Sequence, residues 1–62
     1  MTEPHDEMRR LRHDLANPLA AVLAEAQLQL LNPEALSEEV ATSFREIERL
    51  ARRMRDMLQA KP

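Results

Sequence analysis

Leu31-Asn32-Pro33-Glu34-Ala35-Leu36-Ser37 is the one interruption in an otherwise helical pattern, and its reading decides the fold. Asn32 suits the end of a helix, and Pro33 lacks the N–H that continuation would need. Ser37 can cap a second helix, with Glu38 and Glu39 in its first turn to complement the dipole. Before the break, Met8, Leu11, Leu15, Leu19, Val22, Ala26 and Leu30 recur at steps of three and four and share one helix face. After it, Leu36, Val40, Phe44, Ile47, Leu50, Ala51, Met54 and Leu58 make a second stripe. The spacing predicts helices over about 4–31 and 37–60 with a loop over 32–36, short enough to force an antiparallel hairpin. Pro4 suits a first helical position, with Asp6 and Glu7 favourable near that terminus. Thr2 to His5 are expected to fray, and Lys61-Pro62 to end the second helix.

Folding about residues 34 and 35 pairs positions whose numbers sum to roughly 69. Leu15 is then expected near Met54, Leu19 near Leu50, Val22 near Ile47, and Ala26 opposite Phe44. Leu11, Leu23, Leu50 and Met57 widen the apolar arc beyond what one partner helix covers. An all-α antiparallel hairpin that assembles as a homodimeric four-helix bundle is the expected architecture. A lone chain of 62 residues would be marginal, since a domain of this size buries only about 60% of the surface its unfolded chain exposes.

Composition removes several classes of function. The chain has no cysteine, which excludes disulfides and cysteine-based zinc sites, and its two histidines offer no ligand spacing, so no metal is expected. It has no glycine either, and the loops that cradle phosphates or dinucleotides need glycine for positive φ and close backbone approach. No cofactor is therefore expected to bind this chain by itself. No apolar run approaches the roughly 20 residues of a membrane span, and the N-terminus lacks the order of a signal peptide. A cytoplasmic location without membrane contact is expected. The net charge of −2 argues against non-specific nucleic-acid binding.

One histidine stands apart from the stripes. Measured from Leu15, His13 lies about 160° around the helix and points to solvent. Arg9 and Arg10 precede it by four and three residues, where their guanidinium groups could donate to a phosphoryl group on the ring. Asp14 is adjacent and could orient or deprotonate the imidazole. Asn17 follows one turn later. Pro18 removes the N–H that would bond the carbonyl of Asp14, should bend the helix, and costs about 3 kcal/mol in a helix interior. A local rule broken beside an exposed histidine is where function is expected.

Leu11-Arg12-His13-Asp14-Leu15-Ala16-Asn17-Pro18-Leu19 resembles the H-box of two-component sensor histidine kinases. It fits the pattern His-(Asp/Glu)-Leu-x-(Asn/Thr)-Pro-Leu at every defined position. In that family this helix and a second one form the dimerisation and histidine-phosphotransfer domain, a likeness that covers the whole chain. The resemblance implies that His13 is the phosphoacceptor, Asp14 the acid or base assisting phosphoryl arrival, and Asn17 the residue that positions water for dephosphorylating a response regulator. Pro18 would supply the helix bend. The family's ATP-binding domain, rich in glycine, is separate, so ATP and magnesium would enter only through such a kinase domain, in cis or in trans.

Two further surfaces have alternative readings. Ala20, Ala24, Gln27, Leu28 and Leu31 form an apolar strip below His13. It is either surplus alanine, with the loop covering Leu28 and Leu31, or a docking patch for the receiver domain of a response regulator, with Glu25 at its edge. Arg49, Arg52, Arg53 and Arg55 on the second helix belong to a solvated, ion-paired face, or to a Rop-like RNA-binding bundle that uses no histidine chemistry.

Overall fold

A computed structural model describes residues 4–60. Helix α1 spans Pro4–Gln29 and helix α2 spans Glu38–Gln59, joined by a connection that holds a single 3₁₀ turn, Pro33–Ala35. The expectations for Thr2, Glu3, Lys61 and Pro62 lie outside the described residues. The backbone is already helical at Pro4 and His5, so the expected fraying does not extend to them.

The connection is built from hydrogen bonds that tighten and then restart the helical ladder. Leu30 N–H donates to Ala26 O (3.1 Å), whereas Leu31 N–H reaches only back to Leu28 O (3.3 Å), a change from four-residue to three-residue spacing that ends α1. Leu36 N–H donates to Pro33 O (3.1 Å) to close the 3₁₀ turn. Ser37 then caps α2 as its sequence position predicts, its hydroxyl accepting from Val40 N–H at 3.1 Å. No described residue has positive φ, so a chain without glycine makes this turn with no left-handed position.

Packing corrects the expected core. The residues buried between the helices are Leu19, Leu23, Ala26, Ala41 and Ala51, and Leu58 packs against the cluster of Leu19, Leu23 and Ala51. Leu19 therefore meets Ala51 rather than Leu50. Leu23, expected at the flank, is central. Leu15 does share a groove with Met54, and Val22 and Ala26 share one with Ile47 and Phe44, as expected, but Leu15, Val22, Ile47, Leu50 and Met54 are each at least 40% exposed.

The physical reason is that each helix carries two adjacent apolar seams. On α2 the inner seam is Ala41, Phe44, Glu48, Ala51, Arg55 and Leu58, alternating by three and four residues, all buried or half-buried. Beside it runs an outer seam of Val40, Ile47, Leu50, Met54 and Met57, all exposed. On α1 the inner seam is Leu19, Leu23, Ala26 and Leu30, and the outer one Met8, Leu11, Leu15, Pro18 and Val22. A hairpin satisfies only the inner pair. The outer pair borders an open groove of about 340 Å³ between Leu15, Pro18 and Val22 of α1 and Met54 and Met57 of α2.

This core makes a test possible. Leu23→Ala is expected to destabilise the fold by about 2–4 kcal/mol, whereas Leu28→Ala should stay within about 0.5 kcal/mol of the parent. Thermal unfolding followed by circular dichroism checks both, and equal effects would contradict the inner seam.

Candidate functional site

Helix α1 runs unbroken through Pro18. It presents Arg9, Arg10, His13, Asp14 and Asn17 with their side chains exposed, while Arg12 is half-buried. His13 stands one turn above Ala16 and Asn17, at three- and four-residue spacing on the same side. This is a histidine on a rigid rod, open to a partner as large as a protein.

Below it the apolar strip is open. Ala20 and Ala24 are exposed, and the connection leaves Leu28 and Leu31 uncovered at 58% and 78%. The expectation that the loop shields these two leucines is thereby corrected. Pro18 faces the groove of the outer seam with Leu15, Val22, Met54 and Met57. Glu25, expected at the edge of the strip, lines a groove of about 310 Å³ with Val22, Ala26, Phe44 and Ile47, toward the outer seam.

Helix α2 contributes two residues that the sequence pattern does not place beside Asn17. Arg55 and Gln59 form the far wall of a groove of about 370 Å³ whose near wall is Ala16, Asn17, Ala20 and Ala24. The available signal was the repeat of seven, since Arg55 follows Glu48 and Ala41 at that interval on the inner seam.

The remaining charge on α2 is mostly engaged within the helix. Arg49 clasps both carboxylate oxygens of Glu46, Nε at 3.0 Å and Nη2 at 2.5 Å. The hydrogen bond from Arg49 holds the Glu46 carboxyl below its usual range, and the same bond raises Arg49. Arg52 lies 3.5 Å from Glu48. Both pairs are largely solvated, so they order the surface rather than hold the fold. Among the described residues no group of three or more His, Asp or Glu side chains could hold a metal ion, and no helix is long and apolar enough to cross a membrane.

Residues 5–60 match the family model of the His Kinase A (phospho-acceptor) domain. The chain belongs to this family. The match contains His13 and both helices, so the hairpin is the phosphoacceptor and dimerisation domain of a histidine kinase of two-component signalling. No curated protein and no solved structure gives a significant match. The Rop-like alternative loses its ground, because membership of the His Kinase A family accounts for the hairpin and the H-box together.

The clasp between Glu46 and Arg49 has a pH signature of definite sign. A depressed carboxylate pKa adds stability above the unfolded-state value, and that contribution is lost as pH falls through the lower folded-state value. A carbon-detected NMR titration is expected to place the Glu46 midpoint below the ordinary glutamate value. Arg49→Ala should return it there.

Proposed function

We propose that His13 is the phosphoacceptor and that the protein passes its phosphoryl group to an aspartate of a response-regulator receiver domain. The observation that carries this reading is an exposed His13, inside the matched segment, directly above an open apolar strip. The phosphoryl donor is ATP held with magnesium by a separate kinase domain, in cis or in trans. An imidazole nitrogen of His13 attacks in line, a P–N bond forms as the bond to the nucleotide breaks, and Asp14 takes the proton from the ring. In the second step the receiver aspartate forms a P–O bond as the P–N bond breaks, and His13 returns to neutral imidazole. Arg9 and Arg10 supply donors to the phosphoryl oxygens. Ala20, Ala24 and Leu28 meet the receiver domain, and Asn17 holds a water for hydrolysis of the regulator's acyl phosphate. The cytoplasm, which supplies ATP and receiver domains, is the compartment for this chemistry.

The outer seam belongs to a second copy of the chain, which completes a four-helix bundle. Surface area supports this. The hairpin exposes 5362 Å², whereas a compact 7.2 kDa monomer would expose about 4,100 Å². The excess is on the scale that one partner contributes to a permanent dimer interface.

Three outcomes test the proposal. Incubation with ATP and a kinase domain should give an acid-labile, base-stable phosphoprotein, and His13→Ala should abolish it. Asp14→Asn should slow phosphoryl arrival most, while Asn17→Ala should spare arrival and slow regulator dephosphorylation on the order of 10²-fold. Equal loss of both activities in both variants would reduce the two residues to holding the helix in shape. Sedimentation equilibrium at micromolar concentration should give a dimer, and a stable folded monomer would contradict the bundle.

A further inference from the structure

Asp14 and Arg53 are opposite charges that the hairpin keeps apart. Asp14 precedes Leu15 and Arg53 precedes Met54, two residues that border the outer groove. One residue back is about 100° around a helix, so both charges stand at the outer edges of that face, each turned away from the other helix. Both are exposed, and neither has an ion-pair partner among the described residues. Leu19 packs with Ala51, which sets Arg53 level with Asn17, about 4.5 Å along the hairpin from Asp14 and within reach of an arginine side chain.

A second copy changes their neighbours. A two-fold axis along the hairpin lays α2 of each copy across the outer seam of α1 of the other and leaves the levels unchanged. The outer edge of one helix then meets the outer edge of the other, where residues flanking an apolar seam exchange salt bridges between chains. Along this edge of α2, Glu39, Glu46 and Arg53 recur at intervals of seven. Glu46 is already clasped by Arg49, and Arg53 is the one cation of the three, near the level of the histidine.

We propose that the second copy's Arg53 is a positioning residue for the histidine chemistry: in a dimer whose two-fold axis runs along the hairpin, it pairs with Asp14 across the outer seam and aims the carboxylate at the His13 ring. This rests on the dimer and phosphoacceptor readings given above. An aspartate alone on an exposed helix face samples several rotamers, and a guanidinium on one of its oxygens selects among them and leaves the other oxygen for the ring. A proton acceptor must lie within hydrogen-bond reach of the proton it takes. The chemistry of each chain therefore depends on a residue of the other.

The test mixes chains. Two forms of the whole chain are coexpressed with different affinity tags, and mixed dimers are isolated by both tags in turn. In the first mixed dimer a His13→Ala chain also carries Arg53→Glu, so the remaining His13 and its Asp14 face the substituted position. In the second, Arg53→Glu is in the chain that keeps His13, whose Asp14 faces an intact arginine. Each is treated with potassium phosphoramidate: an imidazole nitrogen attacks phosphorus, the donor P–N bond breaks, ammonia leaves, a P–N bond to the ring forms, and the ring proton passes to Asp14. Acid-labile phosphohistidine should form about tenfold more slowly in the first dimer than in the second. Arg53→Lys in the first arrangement should recover most of the rate. A merely structural arginine would slow both arrangements alike, so equal rates overturn the pairing and leave the dimer and phosphoacceptor readings intact. If Arg53→Glu prevents assembly, Arg53→Gln carries the comparison with a smaller difference. A parent protein that sediments as a monomer overturns the dimer reading, and the pairing with it. A parent dimer that never forms phosphohistidine overturns the phosphoacceptor reading, and with it the role of Arg53.

Discussion

Everything in this hairpin follows from the mismatch between the apolar arc of each helix and the single neighbour available to cover it. Two seams run side by side on α1 and on α2, and a two-helix layer can close only one from each. The inner seam is closed largely by alanines, Ala26, Ala41 and Ala51, against Leu19 and Leu23. Small residues let the helix axes approach closely, but they also bury little apolar area per position. The larger side chains, Leu15, Val22, Ile47, Leu50, Met54 and Met57, are left to the outer seam. With no cysteine in the chain no disulfide compensates, and most of the larger apolar side chains stay uncovered in the hairpin.

The same mismatch divides α1 into three sides. Its inner seam lies against α2, its outer seam borders an open groove, and His13 and Asn17 are exposed on the remaining side. Pro18 sits at the boundary. Its ring lines the outer groove with Met54 and Met57, while its missing N–H leaves the carbonyl of Asp14, beside the histidine, without its helical partner. One residue thus touches both the outer groove and the segment that carries His13. A proline that costs about 3 kcal/mol in an ordinary helix interior is tolerated here, where its ring also fills apolar space.

The fold was legible wherever the deciding physics is local. Ser37 acts through one hydroxyl and caps α2 as its position predicts, while α1 already ends at Gln29, ahead of Asn32 and Pro33. The H-box pattern is local for the same reason: His13, Asp14 and Asn17 lie within five consecutive residues, inside the segment that the family model matches. What periodicity could not resolve is phase. Leu50 and Ala51 differ by about 100° around the helix, yet both belong to a broad apolar arc, and the choice between them depends on which seam the neighbouring helix occupies. Folding about residues 34 and 35, with paired numbers summing to roughly 69, pointed to Leu19 with Leu50, whereas the hairpin buries Ala51 beside Leu19. Arg55 was not placed beside Asn17 because it stands among Arg49, Arg52 and Arg53, and a run of arginines reads as one solvated face. Only the seven-residue interval from Ala41 through Glu48 separates it from them.

The proposed phosphotransfer between two proteins would set opposite demands on one element. The reacting side chain must protrude, because a receiver aspartate has to come within bonding distance along a line through phosphorus. Its backbone must nevertheless be held rigidly, or the orientation is lost. A globular pocket resolves this by burying the site, which a second macromolecule could not then enter. A helix held along its inner seam and bare around His13 resolves it differently: rigidity comes from contacts on the far side of the rod, and access costs nothing in buried polar groups. Exposed alanines below the histidine follow from the same logic, since long side chains there would lose rotamer entropy on docking, whereas Ala20 and Ala24 have none to lose. The apolar contacts that hold α1 against α2 therefore leave the His13 side of the helix open for the proposed transfer.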